Sequence, residues 1–546
     1  MTAPTVALCM IVRNEEGHLQ ACLDSVEDLC VERIVVDTGS TDATVAIAER
    51  ARARVIHFPW CDDFAAARNA GLREATSDWV LILDADERLT AGSVERIRQQ
   101  LQGTTEDCGM IRLHDASTLE ARAGDVVSGL ARLGEPMYVA RLLRRTADLE
   151  FDGIVHESVR RWLVRNGNRA FNVGAEIVHY GAVASVRMTK AKSDRNLRLL
   201  EKRLELEPDN FTVHGYLAHE YAEIKATEKA RETAEEGWRI LKTATRTTLR
   251  SAIRLMTARC VQQLQQGDLA GVLASVDDAI AYEGESPDAL FFRGRAFEHR
   301  ALSAGAERDG DLASAEEAYR SCLEFADKTF AQRFVRGAST WCGRLRLGTV
   351  RLLQGNAEDA LRLFEESHAE EPSFGESLYG ACEALVDLGR AEEALARLEP
   401  CLATSLQPDG WLVAAEAAHD LGNIGDMKLF LGRARSAAPA GYLAAHRNAI
   451  HSVLHCELTA YLGRPQSGPG AIGTACGLMS GAAAEGRIAR GERRPLVRFL
   501  RGMLVANQAS FVERLLAPDA ERALPGILGL VQEAVESLEM APEERG

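Results

Sequence analysis

The sequence predicts an α/β domain built on a parallel sheet, followed by an all-α solenoid of helical pairs. Three observations carry that prediction: a βαβαβαβ alternation over residues 6–83, the fading of strand-like segments near residue 190, and a 34-residue recurrence beyond it. Val6-Ala-Leu-Cys-Met-Ile-Val12 is a continuous apolar run of buried-strand type, and from Glu15 onward Leu19, Cys22, Leu23, Val26 and Leu29 recur at helical spacing. Arg33-Ile-Val-Val36 is a second strand, broken by Asp37-Thr-Gly-Ser-Thr-Asp42, after which Val45, Ile47 and Ala48 open a helix with Ser40 or Thr41 as its cap. Arg54 to Phe58 makes a third strand, Asp63 to Ala75 a third helix, and Trp79 to Leu83 a fourth strand. Sheets of this kind bind ligands where the strand ends open into loops.

Beyond residue 190, Leu347-Gly348, Gly355, Ala360, Phe364 and Pro372 fit the tetratricopeptide (TPR) pattern, and Gly389, Ala394 and Leu398 repeat it 34 residues later. Gly348 and Ala360 let the two helices of a pair approach, while Phe364 fills the space between successive pairs. Fainter copies fall at Leu217-Ala218 with Ala230, Gly267 with Ala279, Gly294 with Ala315, and Ala415 with Leu421. An ordinary helical bundle is the alternative. The predicted boundaries are an α/β domain over 1–190, helical repeats over 191–440, and a C-terminal helical region with a Gly-rich linker over 441–546.

A length of 546 residues requires more than one domain, and a composition 46% hydrophobic and 26% charged is that of a folded protein. The seven-residue run at Val6–Val12 is the longest apolar stretch, far short of the ~20 residues a membrane-spanning helix needs. Without a basic segment and small-residue cleavage site near Met1, a cytoplasmic location is expected. Twelve cysteines are scattered with no CxxC pair, which reads as reduced, mostly buried thiols. A net charge of −16 argues against nucleic acid as a partner.

The residues with the clearest chemical signature are Asp84 and Asp86, in Leu81-Ile-Leu83-Asp84-Ala85-Asp86-Glu87 past the end of the fourth strand. Two carboxylates one residue apart at a sheet edge suit a hard divalent cation, Mg²⁺ or Mn²⁺, and a ribose hydroxyl, although an acidic turn closing a strand has the same sequence. His156-Glu157 is not followed by a histidine at the required spacing, since Arg160 stands there, so the zinc-protease motif is absent.

Taken together, several stretches resemble glycosyltransferase family 2, in its bacterial branch with appended TPR repeats. They are Leu8-Cys-Met-Ile-Val-Arg-Asn-Glu-Glu16, Ile34-Val-Val-Asp-Thr-Gly-Ser-Thr-Asp42, Asp63-Phe-Ala-Ala-Ala-Arg-Asn69, Leu83-Asp-Ala-Asp-Glu87, Arg141-Leu-Leu-Arg144, Phe151-Asp-Gly-Ile-Val-His-Glu157 and His179-Tyr-Gly181, in family order. The resemblance implies a GT-A (Rossmann-like) nucleotide-sugar-binding domain and an inverting, metal-dependent hexosyl transfer from a nucleoside-diphosphate sugar. It assigns Val12, Arg13, Asn14, Glu15 and Asp37 to the nucleoside, Arg68, Asn69, Asp84 and Arg141 to the nucleotide and diphosphate, and Asp84, Asp86 and His179 to the cation.

Each of these residues also has a plainer reading. Asp37 can cap its own turn, Arg68 can be a surface arginine, and His179 can be a packed histidine, the more so because Ala182 stands where the family has an aromatic residue. For the base that deprotonates the acceptor, Glu157 is the first choice and Asp152 the competitor, a salt bridge to an arginine being the ordinary alternative for Glu157. Arg144, like Arg141, can hold phosphate or pair with carboxylates.

The acceptor implied by a concave repeat surface is a peptide or protein, or a cell-surface glycan precursor, with self-association through the repeats as a further use. The rival reading is a TPR scaffold whose nucleotide-sugar domain is catalytically silent.

Overall fold

The computed structural model describes residues 3–133, 136–181, 183, 190–247, 249–303, 308–326, 334–402, 406–421 and 423–437. The C-terminal region and Gly-rich linker expected over 441–546 lie outside the described residues. The described chain divides into two compact units, one running to Ala289 and including 334–337, the other comprising Leu290–Ala326 and Ala338 onward.

The first unit opens with β1 (Val6–Val12), α1 (Leu19–Ser25), β2 (Glu32–Asp37), α2 (Thr44–Arg50), β3 (Arg54–His57), α3 (Phe64–Glu74) and β4 (Trp79–Ile82). These four strands lie parallel in the order β3-β2-β1-β4. Their alternating residues explain why both faces are covered. Leu8, Met10 and Val12 pack with Leu19, Cys22 and Leu23 of α1 on one face, and Ala7 and Cys9 with Ala65 and Leu72 of α3 on the other. Trp79, Val80 and Leu81 of β4 are buried to the same degree, as expected for a central strand.

The parallel arrangement predicted for the sheet stops at β4. The chain continues through β5 (Glu87–Leu89), α4 (Ser93–Leu101), β6 (Cys108–Asp115), α5 (Ala123–Ser128), β7 (Met137–Arg144), α6 (Arg160–Arg165) and β8 (Ala170–His179). The full order is β3-β2-β1-β4-β7-β6-β8-β5, with β7 antiparallel to β4 and β6, and β5 antiparallel to β8. A mixed extension is therefore joined to the parallel half, and the turn Asp84–Asp86 lies where β4 hands over to β5.

Within the same unit follow α7 (Lys190–Leu206), α8 (Phe211–Glu223), α9 (Thr227–Thr243), α10 (Ile253–Gln266) and α11 (Leu269–Glu283). Val155, Leu199, Leu200, Val213, Leu217 and Tyr221 form one apolar cluster, with Trp60, Phe64 and Ile154 against it. Residue 190 marks a change of periodicity, but the compact unit runs past it because this cluster joins α7 and α8 to the loops of the sheet domain.

The second unit contains α12 (Pro287–Ser303) from Leu290, α13 (Arg308–Leu323), α14 (Trp341–Leu353), α15 (Ala357–Glu370), α16 (Gly375–Asp387), α17 (Ala391–Leu402), α18 (Pro408–Asp420) and α19 (Ile424–Ala437). Gly355 and Gly389 take left-handed backbone at the turns inside successive pairs, φ 82° and 74°. A Cβ on Gly348 or on Gly380 of the next pair would lie 2.9 or 2.7 Å from the Phe364 ring, so that ring fills the seam between pairs as its position in the repeat predicts.

Candidate active site

The C-terminal ends of β1, β2 and β4 share one edge of the sheet, since Val12 is in register with Asp37 and Cys9 with Ile82. The loops leaving that edge are tied to one another by hydrogen bonds. Asn14 sits in left-handed backbone (φ 57°), its N–H donating to Ser40 Oγ at 3.0 Å and its Oδ1 accepting from Thr41 N at 2.8 Å. The Glu15 N–H donates to Thr44 Oγ1 at 2.7 Å. Asp37 is buried and accepts from Ser40 N at 2.9 Å. Burial opposes its ionisation, but the Ser40, Gly39 and His57 hydrogen bonds prevail and hold its carboxyl below the usual range. Asp37 thus caps its own turn, on the edge where a nucleoside was expected, and Arg13, next after the Val12 that is in register with Asp37, lies exposed.

Asp63 caps α3 by accepting from Ala66 N at 2.8 Å, and one turn later α3 presents Arg68. Its guanidinium, with a side chain only 10% exposed, bridges two carboxylates: Nη2 to Asp84 Oδ1 at 2.9 Å and Nε to Glu157 Oε1 at 2.6 Å. Its Nη1 is buried without a hydrogen-bond partner among the described residues. Arg141, from β7, reaches Asp84 Oδ2 at 3.2 Å and pairs with buried Glu87. Burial resists the charge on Asp84, but Arg68 and Arg141 outweigh it and keep that carboxyl well below the carboxylate range. Burial pushes Glu87 up to about 7, with Arg141 opposing and Asp84 adding to the rise.

Asp86 faces a different neighbour. His179, at the end of β8, places Nε2 3.5 Å from Asp86 Oδ2, and its Nδ1 is 2.7 Å from Asp115 Oδ1 on β6. Burial works against the imidazolium, yet the hydrogen bonds to Asp115 and Asp86 raise His179 to about 10. A Cβ on Gly181 would lie 2.0 Å from Asp86 Oδ2 and 2.7 Å from His179 Nε2, so only glycine leaves that space open. Asp84, Asp86 and His179 do not converge as a trio, because both oxygens of Asp84 are occupied by arginines. Among the described residues no three His, Cys, Asp or Glu side chains form a cation-binding group.

The other expected site residues hold the scaffold. Asn69 exchanges two hydrogen bonds with the backbone of Phe151, at 2.9 and 2.8 Å, and so fixes the start of the loop that carries Glu157. Asp152 closes that loop through a bridge with Ser158, and its Oδ2 is buried without a partner among the described residues. Burial raises its pKa. Arg144 pairs with Asp107 at 3.0 Å and lies over the Trp79 ring, taking no part in the Arg68 and Arg141 network. Sequence reasoning missed Asp115 and the pairing of Glu87 with Arg141. Asp115 ends a strand that alternates Ile111, Leu113 and Asp115, and an acidic residue at a strand end facing His179 was the only signal available.

The profile described as Glycosyl transferase family 2 matches residues 7–160, a span holding Asp37, Arg68, the Asp84–Asp86 turn, Arg141 and Glu157. Residues 7–160 form a glycosyltransferase family 2 domain. A Tetratricopeptide repeat profile matches residues 351–424. Similar proteins include a TPR repeat-containing protein of Synechococcus elongatus, 42% identical over 28% of this chain and 35% of its own length. The SPbeta prophage-derived glycosyltransferase SunS of Bacillus subtilis is 31% identical over 38% of this chain and 47% of its own. The lipopolysaccharide core biosynthesis glycosyltransferase LpsC of Rhizobium meliloti is 32% identical over 18% of this chain and 38% of its own. The chain thus spans about a third to a half of the length of these curated relatives. A solved tetratricopeptide repeat protein from Parabacteroides merdae aligns with a TM-score of 0.34 at 15% identity, over 46% of this chain and 88% of that one. Among the described residues no helix is long and apolar enough to cross a membrane.

Proposed function

We propose that the chain is an inverting glycosyltransferase that moves a hexosyl group from a nucleoside-diphosphate sugar to a peptide, protein or cell-surface glycan precursor. The observation that carries this reading is Arg68, a buried guanidinium that joins the Asp84 carboxylate to Glu157 and has a further N–H with no partner among the described residues. A diphosphate offers that donor an oxygen, and the planar fork suits it. Asp37 and the Asn14–Glu15 loop hold the nucleoside end. Glu157 accepts the acceptor's proton as the acceptor's nucleophilic atom attacks the anomeric carbon and the bond to the diphosphate breaks. The names of two relatives, a glycosyltransferase and a lipopolysaccharide core biosynthesis glycosyltransferase, support the transfer and a glycan among the acceptors.

Asp86 and His179, facing each other across the gap that Gly181 leaves open, would hold a Mg²⁺ or Mn²⁺ ion once the imidazole gives up its proton. Such an ion supplies neutralisation of charge on the departing diphosphate. The orientation of His179 by Asp115 is the arrangement that metal-binding imidazoles favour.

The test is incubation with UDP-, GDP- and dTDP-sugars, with and without Mn²⁺, following release of the nucleoside diphosphate. Turnover should need the divalent ion, and Glu157→Gln should retain donor binding while losing turnover. Full activity in excess EDTA would refute the metal assignment. Survival of turnover in Glu157→Gln together with its loss in Asp152→Asn would move the base to Asp152.

A further inference from the structure

Glu157 stands on a short loop whose backbone is held from outside the sheet domain. The loop is closed at its base by the reciprocal Asp152–Ser158 hydrogen bonds, 2.9 and 3.0 Å. Within it Gly153 has φ 93° and His156, the residue preceding Glu157, has φ 49°. A histidine in left-handed backbone is uncommon, and such a conformation persists only when its surroundings over-determine it.

Those surroundings come from the first helices after the sheet. Arg203 of α7, its side chain 11% exposed, donates from Nη1 to the Val155 carbonyl at 2.5 Å and to the His156 carbonyl at 3.4 Å. Its Nε is held by Glu207 at 3.0 Å, and Glu207 in turn accepts from Asn210 Nδ2 at 2.6 Å, so the guanidinium is itself oriented. A Cβ on Gly153 would lie 2.6 Å from the Arg203 guanidinium carbon, which shows that Arg203 occupies the space a larger residue there would fill. Tyr216 of α8 stacks on the His156 ring, centroids 4.2 Å apart and planes 15° from parallel. Val155 is buried against Leu199 and Leu200.

We infer that Arg203 is a positioning residue for the transfer reaction: from α7, the first helix after the sheet, it fixes the two carbonyls preceding Glu157 and so aims that carboxylate. This rests on Glu157 being the base. A guanidinium suits the task because one rigid fork can serve two carbonyls and a carboxylate at once, where an ammonium is a single point of charge.

The test uses the full chain, with UDP-glucose and UDP-N-acetylglucosamine as donors, Mn²⁺ present and water as acceptor. In Arg203→Met, kcat for UDP release should fall about 100-fold, the loss that a misplacement of about 1 Å can cause, with KM and the UDP dissociation constant unchanged. Amide exchange across 153–157 should quicken. Arg203→Lys should be intermediate, and millimolar guanidinium should restore part of the turnover of Arg203→Ala, a rescue that loss of general stability would not allow. Parent-like exchange across 153–157, or an unchanged kcat beside an inactive Glu157→Gln, overturns the inference. An active Glu157→Gln refutes the base assignment instead, and the exchange measurement then still decides whether Arg203 holds the loop.

Discussion

Asp84 and Asp86 are separated by one residue, yet their carboxylates meet opposite kinds of neighbour. Asp84 lies between Arg68 and Arg141, whereas Asp86 looks toward His179. The difference arises because the turn from β4 to β5 points one side chain toward α3 and β7 and the other toward the end of β8. Asp115 then sets the direction of the imidazole. If Asp86 and His179 hold the cation, Asp115→Asn should weaken Mn²⁺ binding by about 10- to 100-fold, as loss of a partner behind a metal-binding histidine generally does, while leaving UDP binding without metal unchanged. Calorimetric titration of Mn²⁺ checks this, and an unaltered Mn²⁺ affinity would remove His179 from the cation site.

At the scale of elements, α12 begins with a buried acid that ties down a separate segment. Asp288 is fully buried and accepts from the N–H groups of Phe334 and Val335 at 2.8 and 2.5 Å. Burial raises its pKa from 3.8 to about 6 despite those hydrogen bonds. A carboxyl with a raised folded-state pKa binds more proton when folded than when unfolded. Its contribution to stability is therefore complete below about 3.8 and is lost as pH rises through about 6. Asp288→Asn should flatten the stability profile across that window, removing a pH-dependent difference on the order of 2 kcal/mol. Urea melts at pH 4 and pH 7 measure it, and an identical slope in parent and variant would show that Asp288 is not the titrating group. The elements themselves differ in how far sequence reveals them. Val6–Val12 was legible because a parallel central strand is apolar on both faces, whereas β5, three residues long and beginning with Glu87, carries no such pattern.

For the molecule as a whole, the first compact unit includes helices that the repeat pattern would assign elsewhere. A fragment ending at Gly181 keeps every motif from Leu8 onward but strips Leu199, Leu200, Val213, Leu217 and Tyr221 from Val155, Trp60 and Phe64. It should therefore aggregate or melt without cooperativity, because the apolar patch it exposes is one that a folded monomer does not leave uncovered. A fragment ending at Ala289 retains that cover and should melt cooperatively and bind UDP. Circular dichroism melts and UDP titration of both fragments test this. A short fragment that melts as cooperatively as the long one would show that the sheet domain folds without α7 and α8.

The sequence by itself determined the parallel half of the sheet and the 34-residue helical repeat. Those properties are written locally, in apolar runs, in turn chemistry and in small residues at fixed spacing. It also left Glu157 open between a base and a salt bridge, and the structure shows Arg68 bonded to it, a contact between residues 89 apart in the chain. Only the tertiary structure decided which carboxylate each arginine meets, that Asn69 braces the Phe151 backbone instead of projecting freely, and that Arg203 reaches the carbonyls before Glu157. The physical reason is that hydrogen-bond partners are chosen by distance and direction in the folded chain. Segments far apart in sequence come within 3 Å only when the sheet order and the packing of α3 and α7 bring them there.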